Sequence, residues 1–407
     1  MPETITQFYI KRQGPYEKAL SGIKEVIEAT LKDNVLFIEK RVKPFERLRQ
    51  KCTENNLHPG EVKDLLGLRI IYKEKTELKE LVSIITHSFP EITILGYRDY
   101  NKETKNNGYI AYHIYSELTV NDEKAGLQEQ VKLEIQLRTL PQHIWAQIEF
   151  EHRSSTDVVL ELLQKLGKTC QEADDVITAI NHLYQTETPE SKAAANDSAA
   201  LAVAEYLIYQ RENLENAKKM VARILESALA QDTYFIEGRV KSYDSLREKC
   251  ERKGVDVERI PEEINDLVGI RVVDKYYDRI EKTVQKIKDL PQFIQRLDKS
   301  REKNYNKNPK GSGYSGYHLG CKYSVPTPAG HKIIPVEIQV RTAGQHLWCT
   351  TDQLYRYKKL PADKKLQTEA DELFNKLKEV CNEIDRLSIE IRDLSGETKI
   401  AQKKAAP

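Results

Sequence analysis

The sequence predicts two tandem α/β (α+β) domains, each a mixed β-sheet flanked by helices. Three observations predict this: the length, an internal duplication, and short strand-like segments set between helical ones. At 407 residues the chain exceeds one ordinary domain. Residues 37–52 read FIEKRVKPFERLRQKC and residues 235–250 read FIEGRVKSYDSLREKC, identical at ten of sixteen positions. DLLGLRI then pairs with DLVGIRV, NGYIAYH with SGYSGYH, and LEIQLRTLPQHIW with VEIQVRTAGQHLW. The offsets are 198 (Arg41 to Arg239), 202 (Asp64 to Asp266), 205 (Tyr109 to Tyr314) and 203 (Glu134 to Glu337). The only two tryptophans, Trp145 and Trp348, fall at the same place in the repeat. A period near 200 residues marks a duplicated domain, not a solenoid.

Each copy has the same order of elements. A leading helix comes first, over 16–31 and again over 204–230, and the basic RVK segment follows. Short strands come next, in copy one at 68–72, 110–118 and 132–138. A long helix closes each copy, because apolar residues recur in steps of four and three: Val159, Leu163, Leu166, Cys170 in copy one and Ala370, Leu373, Leu377, Val380 in copy two. Such a seam packs on its own domain; the alternative is pairing between the two helices or across a homo-oligomer. Residues 186–200, TETPESKAAANDSAA, are small, polar and Pro-containing, and read as a linker. The domains are therefore placed at 1–185 and 201–398, with a disordered polar tail over 399–407.

Charge and composition exclude several classes. Lys+Arg total 64 and Asp+Glu 63, so nothing favours a protein that coats DNA or an anionic membrane. No run of 18 apolar residues occurs, and residues 1–13 lack the apolar core of a secretory signal, which suggests a cytoplasmic protein. The six scattered cysteines show no metal spacing and read as free thiols. Neither GxxxxGK[ST] nor GxGxxG is present, so a phosphate site here is not a P-loop or a dinucleotide fold.

The motifs favour a polyanionic ligand. Strand alternation sends Leu133, Ile135 and Leu137 to the core and Glu134, Gln136 and Arg138 to the other face; copy two repeats this with Glu337, Gln339 and Arg341. That polar row is either a solvated face or a ligand surface, and its recurrence in both copies favours the ligand. Asp64 and Asp266 precede a strand, where Asp often caps a turn; a strand-edge carboxylate plus Glu134 or Glu337 also suits Mg²⁺ beside phosphates. Cations cluster at Arg41, Lys43, Arg47, Arg49 and Lys51, then at Arg98, Lys102 and Lys105. In copy two they recur at Arg239, Lys241, Arg247 and Lys249, then at Lys303, Lys307 and Lys310. Tyr109 and Tyr314 each follow a glycine, with His113 and His318 four residues on.

Taken in order, these blocks resemble the RelA/SpoT synthetase family, in its small synthetase-only branch duplicated in tandem. The resemblance rests on R-V-K, D-x-x-G-x-R, G-Y-x-x-x-H and E-I-Q-x-R-T…W, each present twice. It implies nucleotidyltransferase-like domains that use Mg²⁺ to transfer pyrophosphate from ATP to the ribose 3′-hydroxyl of GDP or GTP, making the alarmone (p)ppGpp. By position, Asp64 and Asp266 would bind the metal, and Glu134 and Glu337 would help hold it and act as base. Arg41 with Arg69, and Arg239 with Arg271, would sandwich adenine. Lys43, Lys241, Arg98, Lys105 and Lys310 would face phosphates, Lys303 would also bind substrate, and Tyr109 and Tyr314 would stack on guanine. His113, Gln136 and His143, with His318, Gln339 and His346, would contact the acceptor. The sequence departs from the family where Phe150 replaces a histidine and Asp352-Gln353 replaces Glu-His. It also shows no hydrolase segment with paired His-Asp metal ligands. A tRNA 3′-end pyrophosphokinase, and a nucleotide sensor with one or both sites inactive, are the alternatives.

Overall fold

The computed structural model describes residues 3–31, 34–73, 78–100, 110–152, 156–185, 198–293, 296–327, 330–356 and 363–405. It divides into two compact units, 1–178 and 179–407. In copy one the order is α1 (Ile5–Thr30), β1 (Val35–Val42), α2 (Phe45–Asn55), β2 (Leu66–Tyr72), α3 (Leu78–His87), β3 (Ile92–Asp99), β4 (Tyr112–Asp122), β5 (Leu127–Thr139), α4 (Leu140–His152) and α5 (Asp157–Gln185). Copy two repeats it as α6 (Ser198–Leu229), β6 (Thr233–Val240), α7 (Tyr243–Lys253), a short α8 (Ile260–Glu263), β7 (Val268–Asp274), α9 (Ile280–Asp289), β8 (Leu297–Asn304), β9 (Tyr317–Thr327), β10 (Gly330–Thr342), α10 (Ala343–Thr351) and α11 (Lys364–Ala405).

Each copy holds one five-stranded mixed sheet, ordered β1-β2-β5-β4-β3 and β6-β7-β10-β9-β8. The pairs β2–β5 and β7–β10 are parallel and the others antiparallel. The predicted alternation holds: Leu133, Ile135 and Leu137, like Val336, Ile338 and Val340, are fully buried. They pack with Leu20 and Ile27 of α1, or with Leu225 and Leu229 of α6, in one core per copy. The opposite face is left to polar side chains.

The leading helices start earlier than the sequence indicated. Helix α1 runs through Gly14-Pro15, carried by a capping box at Thr4–Gln7 and by burial of Phe8 and Tyr16. Helix α6 begins at Ser198, inside the expected linker, whose residues 186–197 lie outside the described residues. The expected tail is helical as well: α11 continues to Ala405, because Ala, Gln and Lys favour extending a helix already nucleated. Among the described residues no helix is long and apolar enough to cross a membrane. The six cysteines are free and buried.

The candidate active site

The site is built on the polar sheet face by strand register. In copy one Glu39, Arg69, Gln136, His113 and Arg98 stand side by side across the five strands. The next row is Arg41, Gly67 and Glu134. Copy two repeats both rows, as Glu237, Arg271, Gln339, His318 and Lys303, then Arg239, Gly269 and Glu337. The glycine of each D-x-x-G-x-R segment therefore sits between a guanidinium and a carboxylate. A Cβ on Gly67 would already touch Arg41, and anything larger would fill the floor between Arg41 and Glu134.

Asp64 reaches this floor from the turn before β2, held there by the Lys43 backbone N–H donating to Leu65 O at 2.8 Å. Lys43 Nζ donates to Asp64 Oδ2 at 2.6 Å and Lys51 Nζ to Oδ1 at 2.8 Å. In copy two Lys241 and Lys249 grip Asp266 at 2.7 and 2.8 Å. Burial opposes the charge on Asp266, but the two ammonium groups overcome it and bring its pKa down to about 2; Asp64 is lowered in the same way. The aspartates thus belong to a charged cleft and are not simple turn caps. Lys43 and Lys241, expected against phosphates, pair with these aspartates, and Lys43 lines the cleft.

Glu134 is held from both sides. His113 Nδ1 lies 3.0 Å from Oε1, and Gln136 Nε2 donates to Oε2 at 2.6 Å. Arg138 Nη2 donates to Gln136 Oε1 at 2.8 Å, which fixes the amide. Burial raises the Glu134 pKa, yet the His113 and Gln136 contacts leave it below its ordinary value; for Glu337 the same balance gives about 2. The charge of Asp64 opposes ionisation of Glu134, and that of Asp266 opposes ionisation of Glu337; in copy one Asp64 and Glu134 line the same cleft. In copy two the chain of contacts closes on itself. Arg341 Nη2 donates to Gln339 Oε1 at 2.6 Å and to the Tyr314 hydroxyl at 2.7 Å. That hydroxyl meets His318 Nε2, His318 Nδ1 lies 3.2 Å from Glu337, and Gln339 donates to Glu337.

Tyr314, expected to offer its ring to a base, has Lys310 4.8 Å and Arg341 5.1 Å from its ring centre, and burial pushes its pKa up to about 12. Its counterpart Tyr109, with Lys105, lies outside the described residues. Arg98 and Lys303 are exposed at the edge strands beside His113 and His318. Arg98 lies over Tyr100 at 4.8 Å.

His143 and His346, expected to contact the acceptor, are both buried, edge-on to Phe37 and Phe235. His143 Nε2 is 3.8 Å from Glu39, and His346 Nε2 is 3.4 Å from Glu237. Burial lowers the His143 pKa to about 4, so the ring is neutral at pH 7 and acts as packing behind Glu39. Glu39 accepts from Arg69 Nη1 at 3.1 Å, and Glu237 from Arg271. Glu39 and Glu237 are thus site residues that sequence reasoning passed over, although FIE recurs in both copies. Arg41 and Arg239 stand apart: burial and the neighbouring Arg69 or Arg271 lower both pKa values, and neither guanidinium meets a protein hydrogen-bond acceptor among the described residues.

Helices α4 and α10 cross the cleft because a T-x-x-Q capping box turns the chain at the strand ends. Gln142 N donates to Thr139 Oγ1 and Gln345 N to Thr342 Oγ1, with the glutamine side chains returning the bond. Asp174 of α5 and Asp385 of α11 latch the same threonines. In copy one the result is a cleft of about 690 Å³, with Arg41, Asp64, Arg69 and Glu134 on one wall and Gln147 and Phe150 of α4 on the other. Its chemistry is two carboxylates set among cations, of which Arg41 has no hydrogen-bond acceptor among the described residues.

Two stretches, 40–155 and 238–361, match the family described as "Region found in RelA / SpoT proteins", together more than half of the chain. The chain belongs to the RelA/SpoT family. The match recurs once per copy, over the strands and helices that build each cleft. GTP pyrophosphokinase YjbM of Bacillus subtilis (strain 168) is 28% identical over 204 residues, 48% of this chain and 90% of that protein. GTP pyrophosphokinase YwaC of the same organism is 28% identical over 124 residues, 30% of this chain and 57% of that protein. Among solved structures, small alarmone synthetase 1 from Bacillus subtilis, bound to its product pppGpp, covers 44% of this chain and 97% of that one, at 22% identity and a TM-score of 0.40.

Proposed function

We propose that the chain is a (p)ppGpp synthetase that transfers pyrophosphate from ATP to the 3′-hydroxyl of GDP or GTP, with Mg²⁺ as cofactor. One observation carries the reading: Asp64 and Glu134 line one cleft on the polar sheet face beside Arg41, which meets no protein hydrogen-bond acceptor among the described residues, and copy two repeats the row with Arg239 and Glu337. The family and the pyrophosphokinase relatives support it.

The residues present fit Mg²⁺. Asp64 with Glu134, and Asp266 with Glu337, supply hard oxygen donors. Among the described residues no group of three His, Cys, Asp or Glu forms a closed protein cage. Magnesium takes one or two carboxylates and leaves its other positions to phosphate oxygens and water. When bound, the ion neutralises charge on the donor phosphates. The chain's own groups do the rest. Arg41 and Arg69 present two adjacent cations to the donor. Glu134, ionised at pH 7, accepts a hydrogen bond from the acceptor hydroxyl and takes its proton as the oxygen attacks the β-phosphorus of ATP; the bond from that phosphorus to the α–β bridging oxygen breaks and AMP leaves. His113 and Gln136 keep that carboxylate aimed, which is the positioning on which phosphoryl transfer depends.

Purified protein incubated with Mg²⁺, ATP carrying label in its β-phosphate, and GDP, GTP or deacylated tRNA tests the reading. Label moving to GDP or GTP supports it. Label moving only to tRNA, or to no acceptor, overturns it.

A further inference from the structure

Arg341, near the end of β10, is buried as no arginine need be for stability. It is 1% exposed, and its Nε and Nη1 have no hydrogen-bond partner among the described residues. Its hydrogen bonds run to neutral groups, the Gln339 amide and the Tyr314 hydroxyl. Cys349, Tyr314 and Glu337 would all favour its charge when ionised, but burial raises the pKa of Cys349 and of Tyr314 and keeps both neutral at pH 7. Buried polar nitrogens without partners oppose folding. The chain nevertheless makes room for this one. Gly316, at a φ of 144°, passes so close that a Cβ there would stand 3.2 Å from Arg341 Cγ; copy one has Ala111 at that place.

The Nη2 atom of Arg341 joins the two supports of Glu337. On one side it donates to Gln339 Oε1, and Gln339 Nε2 donates to Glu337 Oε2. On the other it donates to the Tyr314 hydroxyl, which meets His318, and His318 Nδ1 lies beside Glu337 Oε1. The first arm recurs in copy one as Arg138, Gln136 and Glu134. We infer that Arg341 is a positioning residue, kept at a cost in stability, that fixes the Gln339 amide with its nitrogen toward Glu337 and so ties the aim of that carboxylate to Tyr314. Without the guanidinium the amide is free to turn its oxygen to the carboxylate, where two acceptors repel. This rests on the transfer reading proposed above, with Glu337 as the base.

The test is a double-mutant cycle on kcat in the full chain carrying Glu134→Gln, so that transfer reports copy two. Arg341→Met lowers kcat by about tenfold or more, the worth of a hydrogen bond from a charged group. The KM for ATP stays within about twofold, since Arg239 and Arg271 are untouched. Gln339→Met gives a similar loss, and Arg341→Met on top of it adds less than about twofold, because the two act as one arm. Arg341→Lys, which keeps the charge and lacks the fork, loses kcat as Arg341→Met does. The urea midpoint of Arg341→Met, followed by Trp348 fluorescence with Trp145→Phe, does not fall. An unchanged kcat in Arg341→Met, a full kcat in Arg341→Lys, or losses that multiply in the double variant each overturn this inference alone. A midpoint that falls together with kcat does so too, because it makes the arginine a structural residue. No transfer by the Glu134→Gln chain before Arg341 is changed overturns the reading of copy two as a working site, and this inference with it.

Discussion

Asp266→Asn removes the charge that Lys241 and Lys249 grip, and the cost can be worked from both sides of the pair. From the acid's side, its pKa falls from an ordinary 3.8 to about 2, nearly two units at about 1.4 kcal/mol each, so the carboxylate's share is about 2 kcal/mol. From the lysine's side, burial takes more from Lys241 than Asp266 returns, and its pKa is lowered, so the pair as a whole is worth less than the acid's share. Removing one partner, however, strands a side chain that is only 7% exposed, and breaking a buried pair costs about 3–5 kcal/mol. Lys249, 20% exposed, regains water, and asparagine keeps one acceptor oxygen. The expected loss is about 2 kcal/mol in copy two. Urea unfolding followed by Trp348 fluorescence in a Trp145→Phe background reads copy two alone, since the chain has only these two tryptophans. The sign with pH follows from the lowered pKa. The stabilisation is fully present above about pH 4 and fades as pH falls toward 2. The gap between wild type and Asp266→Asn therefore holds from pH 7 to pH 4 and narrows below. No gap at pH 7, or a gap already closing between pH 7 and pH 5, refutes the reasoning. Lys241→Met in the Asp266→Asn background should cost less than the two changes summed, because the stranded ammonium is gone.

Other outcomes follow from the same contacts. Asp385 is buried and its pKa is pushed up to about 6, so it favours the fold when protonated and costs stability as pH rises from 4 through 6. Asp385→Asn keeps an acceptor for Gly344 N and should stabilise copy two at pH 7 by about 1–3 kcal/mol, with no gain at pH 4, in the same fluorescence assay. Tyr314→Phe releases the hydroxyl from His318 and Arg341 while keeping the ring. In a Glu134→Gln background it should lower the KM for the acceptor nucleotide severalfold, whereas Tyr314→Ala should raise it. A Phe variant that binds acceptor more weakly would show that the hydroxyl positions the acceptor and does not restrain the ring.

Much of this was legible in the sequence because the duplication puts each motif in view twice. The alternation in EIQLRT fixed which side chains face the core, and it set Glu134, Gln136 and Arg138 in a row that the structure keeps. What escaped was set by contacts between distant segments. Strand β1 opens with the apolar run Val35–Ile38 and continues through Glu39-Lys40-Arg41 to Val42, so no period of two announces it; pairing with β2 makes it a strand. The edge strand β8, LDKSREKN, is almost wholly polar, as suits an edge that must not recruit another chain. Lys43 lies 21 residues from Asp64, and only the fold shows the lysine spent on the acid. His143 follows β5, the strand that carries Glu134, and the Thr139–Gln142 cap turns it toward Glu39. Gly14-Pro15 signals a break that α1 overrides by burying residues on both sides.

The central claim is that Glu134 and Glu337 each serve one pyrophosphate-transfer site. Its most direct test is the turnover of labelled ATP with GDP or GTP by Glu134→Gln, Glu337→Gln and the double variant, since glutamine keeps the size of the side chain and removes its charge. The account predicts that each single variant retains the turnover of the other copy and that the double variant loses transfer by at least a hundredfold while its urea unfolding midpoint changes little. A double variant that turns over at the wild-type rate contradicts it.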